Sequence, residues 1–406
     1  MKLHNRFITI AFTLILLIPT LDAIFHFSPV KELFEKRLPV AKPEFVWSHD
    51  YHRNFEKFFD DNYGTRKSLI FLNALLMDRV FNESPDSRAV FGREGWLYFD
   101  NRDSLLDVQG KAPLGDELVA RGVKSFYQNW QKARAQNIHY LLIIVPDKTT
   151  IYPEFLPDYI KSGTTHRIDK FLAALKKSHP DFPVLDLRPT LISAKKHEII
   201  YHQTDTHWNR RGAHYAYVEI MKRLGERTCF QSLPAMAGNG GFPVLRSSRM
   251  SNTLRCGARK SAISDSSQRD WKQVLKPHLR QDFIDRQDQQ IRGDIADIMG
   301  VNATNIDYDL QRKFRLQAHE RATQLPFHKP QFFVNENKNL PRLFVYKDSF
   351  FGNLADFVSE HFSQSLYINE FPCDLDYDVM KNFHPNFVIQ QFWEGRVEEV
   401  LGVCRQ

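Results

Sequence analysis

The residues best suited to chemistry lie in two short stretches far apart in the chain. The first is YHQTDTHWNRRGAHY, Tyr201 to Tyr215, where Asp205 and His207 stand two apart after an apolar run. If the backbone is extended there, period two puts both side chains on one face. A carboxylate beside an imidazole fixes its tautomer and stabilises its cation, which leaves the other nitrogen to act as a base. No nucleophile lies nearby. The second stretch, RLFVYKDSFFGN from Arg342 to Asn353, supplies one in Ser349. An apolar run precedes it and a helical pattern follows, so Ser349 is expected at a strand-to-helix corner. Its backbone N–H, at the start of a helix, would help bind an oxyanion. Ser349, His207 and Asp205 thus compose a candidate nucleophile, base and orienting acid.

Each motif also has a plainer reading. Taken alone, Asp348-Ser349 before a helix is more often a cap than a catalytic corner. Asp205 or Thr206 can likewise cap the helix expected from Asn209. A metal site would have to recruit His202, His207, His214 and Asp205. No HExxH or other tight ligand spacing is present, so neither a metal nor a cofactor is expected.

The elements that must position these residues read as α/β wiring. An amphipathic helix from Asp116 to about Ala135 leads into HYLLIIV, an apolar run of the kind a buried parallel strand shows. A helix near 167–177, the strand PVLDLR, a helix near 189–195, the strand EIIYHQ and a helix from Asn209 to Leu224 follow. After Leu340 come the strand RLFVYKD, a helix over Phe350–His361, the strand SLYINE, a helix near 376–382 and the strand NFVIQQFWE. A helix behind each strand implies a mostly parallel sheet with its sites at the carboxyl ends of the strands. On that expectation Asp205 and His207 sit at one strand end and Ser349 at another. VFGREGWLYFD reads as a β-hairpin around Arg93-Glu94-Gly95. Residues 226–340 break the alternation and read as a long, partly loop-like insertion, with GDIADIMG (Gly293–Gly300) a short helix inside it.

Composition bounds the partners. The 406 residues carry a formal charge of +7, with 42% hydrophobic and 25% charged residues, which is globular and favours an anionic partner. The chain opens MKLHNRFITIAFTLILLIPTLDAIFHF, two cations before an apolar run. That is the pattern of a signal peptide or an uncleaved anchor. Residues 1–27 are read as the anchor, 28–50 as a membrane-proximal linker and 51–406 as the exported domain. An exported basic protein suits an acidic glycan or a lipid surface better than nucleic acid, and no basic helix motif argues for nucleic acid. Four cysteines, Cys229, Cys256, Cys373 and Cys404, suit an oxidising compartment. Cys229–Cys256 and Cys373–Cys404 are the sequence-local pairings, but spacing does not choose among three connectivities or free thiols. Trp208 and Trp393 are the indoles on which a sugar ring could stack, although Trp208 could equally wedge its motif in place by packing, and Glu394 and Arg396 could form a structural ion pair.

Taken together, the motifs resemble the alginate O-acetyltransferase AlgJ/AlgX family. Its D-x-H-W motif matches Asp205-Thr206-His207-Trp208, and its G-D-S-F matches Lys347-Asp348-Ser349-Phe350 except at the first position. DNYGTR (Asp61–Arg66), GREGWLYF (Gly92–Phe99), VPDKTTIYPEFLP (Val145–Pro157), GDIADIMG and PNFVIQQFWEGR (Pro385–Arg396) are similar landmarks in the same order. The resemblance implies an SGNH hydrolase-like fold and a serine-dependent O-acyltransferase with Ser349, His207 and Asp205 as its triad. It implies an acetyl-serine intermediate, a polysaccharide acceptor, a membrane-bound O-acyltransferase as acetyl donor, and a periplasmic location at the inner membrane. An esterase or deacetylase with the same triad, or a weakly active glycan-binding scaffold, is the alternative. Lys347 replaces the family's glycine, either narrowing the pocket or setting a cation beside an anionic substrate.

Overall fold

The computed structural model describes residues 2–28, 40–46, 49–77, 81, 88–100, 104–227, 271, 274–292, 304–312, 317–321 and 330–404. The chain begins with helix α1 (Lys2–Phe25), followed by α2 (His49–Asn62) and α3 (Arg66–Leu76). A two-stranded hairpin comes next, β1 (Ala89–Phe91) and β2 (Leu97–Phe99), antiparallel around Arg93–Gly95 as the glycine-bearing turn predicts.

The body then alternates α4 (Ser104–Val108), α5 (Asp116–Ala135), β3 (His139–Val145), α6 (Lys148–Ile151), α7 (Arg167–Ser178), β4 (Val184–Asp186), α8 (Arg188–Ala194) and α9 (Arg210–Arg227). A hairpin of β5 (Phe283–Arg292) and β6 (Thr304–Arg312) precedes β7 (Ala318–Arg321), β8 (Gln331–Asn335) and β9 (Arg342–Tyr346). The last elements are α10 (Ala355–Ser359), β10 (Gln364–Ile368), α11 (Tyr377–Phe383), β11 (Phe387–Trp393) and α12 (Val397–Gly402).

Seven strands form one sheet in the order β4-β3-β11-β9-β10-β8-β7. The first five are parallel, and β8 and β7 complete one edge antiparallel. The expected α/β, mostly parallel sheet is therefore present, and it is mixed. The two antiparallel strands lie inside the stretch that the sequence reads as an insertion. Neither is a long apolar run: AHER is polar and QFFVN is short. Strands β3 and β11 are buried on both faces, which is why they read so clearly. One face of the sheet packs α8, α9 and the β1–β2 hairpin, with Ile143, Val345 and Ile389 pointing to it. The other packs α5, α7 and α12 against Leu142, Phe344 and Val388.

One expected strand is absent. EIIYHQ contributes only an isolated antiparallel bridge, Tyr201 to Trp208. Its polar tail explains this. His202 N–H donates to His207 O at 3.2 Å, so the chain turns back on itself instead of running on beside a neighbour. Gly212, on the first turn of α9, is held against this segment, because a Cβ there would overlap Ile200 O.

Cys373 and Cys404 form a disulfide that ties the segment before α11 to the end of α12. Cys229, Cys256 and GDIADIMG lie outside the described residues.

Candidate active site

The carboxyl ends of β3, β11 and β9 share one edge of the sheet because the three strands are parallel neighbours. At that edge β9 ends in Lys347-Asp348 and the chain enters a single 3-10 stretch, Ser349–Asn353. Asp348 caps it, accepting Phe350 N–H at 2.9 Å. The same carboxylate accepts Gln391 Nε2 at 2.9 Å and Trp393 N–H at 2.6 Å from β11, while Asp348 N–H donates to Gln391 Oε1 at 3.1 Å. The cap reading and the corner reading are thus both satisfied: Asp348 fixes the corner and Ser349 is left exposed on it. Burial pushes the Asp348 carboxyl up, and its three donors and the nearby His207 oppose that shift.

Asp205 and His207 sit on the loop closed by the Tyr201–Trp208 bridge, not on a strand. Asp205 Oδ1 accepts both His207 N–H at 2.9 Å and His207 Nδ1–H at 2.7 Å. A tight turn therefore puts the carboxylate under its own histidine, which replaces the period-two argument. His207 Nε2 lies 2.7 Å from Ser349 Oγ. A carboxylate only accepts, so it selects the Nδ1–H tautomer and turns the Nε2 lone pair towards the serine hydroxyl. Among the described residues, Ser349 N–H meets no acceptor.

What steadies the loop is a set of residues whose role the sequence reading did not identify. Lys148, the first residue of α6, is buried, and its ammonium donates to the carbonyls of Gln203 at 3.0 Å and Asp205 at 2.8 Å, with His202 O at 3.3 Å. It also lies 5.3 Å from the Tyr98 ring centre and 5.8 Å from that of Trp96. The turn bearing Lys148 is anchored to β11, since Glu394 Oε1 accepts Asp147 N–H at 2.6 Å and the Thr150 hydroxyl at 2.5 Å. Burial raises the Glu394 carboxyl to about 8. Leu97 N–H adds a bond to Gln203 O at 2.9 Å from the hairpin, and Tyr201 OH donates to Pro146 O at 2.8 Å. The signal for Lys148 was a cation directly after an apolar strand, at the edge where the motifs converge.

Residues 89–248 match the family described as the SGNH hydrolase-like domain of the acetyltransferase AlgX. Over this segment the chain is similar to an AlgX-type SGNH hydrolase-like domain. It is 28% identical over 183 residues to the probable alginate O-acetylase AlgJ of Pseudomonas fluorescens, a match covering 44% of each chain. With the probable alginate O-acetylase AlgJ of Pseudomonas aeruginosa it is 27% identical over 177 residues, 42% of this chain and 40% of the relative. The matched segments thus span under half the length of these curated relatives. In architecture it resembles Bacillus cereus PatB1, solved with a sulfonyl adduct, with a TM-score of 0.50 and 14% identity over 77% of this chain and 97% of that one.

The remaining expected site residues are placed as follows. Trp208 is fully buried, its Nε1–H donating to Phe350 O at 3.1 Å, and its ring meets Phe350 edge-on. It offers no face to a ligand, so of its two expected roles packing fits and sugar stacking does not. It ties the histidine loop to the serine corner instead. Trp393 is also buried and stacks on Phe350, so it lies beside the corner beneath the surface. Lys347 is 6% exposed, and burial lowers its ammonium from the usual lysine range. Arg396 pairs with Glu399, and Glu394 faces Arg188 at 3.9 Å, so the expected Glu394–Arg396 pair is not formed. Arg210 completes the latch between α9 and the serine corner, reaching Asn353 O at 3.0 Å and Asp356 at 2.9 Å.

Proposed function

We propose that this protein is an envelope O-acetyltransferase that places acetyl groups on hydroxyls of an exported polysaccharide. The observation that carries the reading is the continuous line Asp205–His207–Ser349, with both bonds 2.7 Å. In the first half-reaction His207 Nε2 takes the Ser349 hydroxyl proton as Oγ attacks the acetyl carbonyl of the donor. The C–O or C–S bond to the donor's leaving group then breaks, and His207 returns the proton to that group. Ser349 N–H supplies one oxyanion donor. In the second half-reaction His207 removes a proton from a sugar hydroxyl, whose oxygen attacks the acetyl-serine, and the serine leaves with the proton. Asp205 steadies the imidazolium in both.

The AlgJ names among the relatives support an alginate-like acceptor, and a membrane-bound O-acyltransferase is the proposed source of acetyl groups. Helix α1 holds an apolar window, Arg6–Phe25, with a mean hydropathy of 2.2 and only 6% buried. We assign it as a retained anchor that keeps the domain in the periplasm at the inner membrane.

The test compares cell-surface polysaccharide from cells carrying the wild-type chain or Ser349→Ala. Loss of polymer acetylation in the variant supports the reading, and acetylation that persists overturns it. Acetate released into water in place of acetyl-sugar, when purified protein meets an acetyl ester and the glycan, would make it an esterase.

A further inference from the structure

Helix α1 is not an isolated rod. The corner between α2 and α3 packs on its last turns, and a Cβ on Gly64 would overlap backbone atoms of Pro19, Asp22 and Ala23. Only glycine lets the two backbones approach so closely. Asp22 is buried at this junction and accepts Ser28 N–H at 2.7 Å, and the hydroxyls of Ser28 and Ser68 are hydrogen-bonded. The apolar helix is thereby built into the fold that follows it.

This contact fixes a depth. The window Arg6–Phe25 has 20 residues, and at about 1.5 Å per residue it matches a hydrocarbon core of about 30 Å. Pro19 and Ala23 then lie about 9 and about 3 Å inside its Phe25 end. A corner touching those atoms sits at the boundary between acyl chains and headgroups. On either side of that corner the two helices turn large apolar side chains outward. Phe55 and Phe59, one turn apart on α2, are 38% and 56% exposed, and Leu69, Leu72 and Leu76 line α3 at 49%, 47% and 43%. The spacings i, i+4 and i, i+3, i+7 make a stripe on each helix. The opposite face of α2 carries Asp50, Arg53, Glu56, Lys57 and Asp60, all exposed, three acids against two bases.

We propose that α2 and α3 form an interfacial foot that lies on the bilayer surface, with this stripe in the headgroup–acyl boundary. The occupant is lipid, because the corner that joins the two striped helices is packed on the last turns of an apolar helix long enough to span a bilayer. The polar face of α2 has no excess of positive charge, which makes apolar burial the driving force, with no requirement for anionic lipid. The foot limits how the domain can tilt about α1. The inference rests on α1 being a retained anchor.

The test places a benzophenone side chain at Phe59 or Leu72 of the full-length chain in proteoliposomes and in cell membranes. Leu14 in α1 and Glu117, exposed at the start of α5, are the controls. Irradiation is expected to give phospholipid adducts at Phe59, Leu72 and Leu14 at several times the level at Glu117, in vesicles with and without anionic lipid. Adducts at Leu14 but not at Phe59 or Leu72 overturn the foot and leave the anchor standing. A discrete protein adduct at Leu72 overturns it in favour of a protein partner. Absence of adducts at Leu14 as well overturns anchor and foot together. Acetyl transfer does not enter the readout, so the catalytic reading stands or falls separately.

Discussion

His207 Nε2 lies 2.7 Å from Ser349 Oγ, although the two residues are 142 positions apart in the chain. The contact is held from both sides. Asp348 ties the serine corner to β11, and Asp205 and Lys148 hold the histidine loop. Trp208 joins the two through Phe350 O.

If this contact activates Ser349, the hydroxyl should react with a fluorophosphonate and its substitution by alanine should abolish labelling. Asp205→Asn keeps the size but offers His207 an amide, removing the charge that stabilises the imidazolium and the strict preference for one tautomer. Labelling and acetyl transfer should fall by roughly 10³-fold or more, with the melting temperature little changed. Labelling of Asp205→Asn at the wild-type rate would show that the carboxylate takes no part.

Lys148 reaches the site through backbone carbonyls. Its ammonium meets the carbonyls of Gln203 and Asp205, so Lys148→Met should loosen the turn that carries Asp205. A misplacement of about 1 Å is enough to cost on the order of 10²-fold in rate. Because Lys148 holds the histidine loop and not the serine corner, kcat should fall while KM for the acetyl donor stays near wild type. Lys148→Arg keeps the charge and should restore part of the loss. Equal kcat for Lys148→Met and wild type would rule out a positioning role.

Strands β3, β9 and β11 were legible because each is an apolar run buried on both faces, and α5 before β3 follows the 3.6-residue period, whereas the helix expected over Phe350–His361 is the 3-10 stretch Ser349–Asn353 followed by the short α10. The candidate triad was legible as residue types at sheet-edge positions. Its geometry was not, because EIIYHQ carries a strand-like pattern but turns at His202 under local hydrogen bonds. Strands β7 and β8 were missed because they pair antiparallel at an edge, where neither length nor apolar content is required. Trp208 could not be told from a ligand platform, since an indole in a motif looks the same whether it faces solvent or Phe350.

His361 and His214 make part of the fold dependent on pH. A carbonyl can only accept, so His361 Nδ1 donates to Val274 O at 2.8 Å and its Nε2 accepts from Tyr217 OH at 2.7 Å. His214 Nε2 donates to His278 O at 3.1 Å. Burial lowers both rings to about 4, from about 6.5 in an unfolded chain. The folded state therefore prefers the neutral rings. Their contribution is complete above pH 6.5 and is lost as pH falls towards 4, on the order of 2–3 kcal/mol for each. Thermal unfolding from pH 7.5 to 4 should show a falling melting temperature. In His361→Gln, which cannot take up the proton, that fall should be shallower. An identical slope in the variant would exclude His361 as a cause.

Lys347 stands where the resembling family has glycine, directly before the Asp348 cap. It is 6% exposed and takes part in no salt bridge among the described residues. Burial lowers its pKa, so folding disfavours its charged form, and at neutral pH the ammonium subtracts from stability. Lys347→Met should therefore raise stability by roughly 1 kcal/mol, seen as a higher denaturation midpoint at pH 7. The stability difference should shrink as pH rises and the wild-type lysine loses its proton. On the proposed reading, a charge kept at such a cost serves an anionic acceptor. The same variant should then raise KM for a carboxylate-bearing glycan while leaving KM for a neutral one unchanged. A variant that is no more stable and treats both glycans as wild type does would make Lys347 a neutral replacement for glycine.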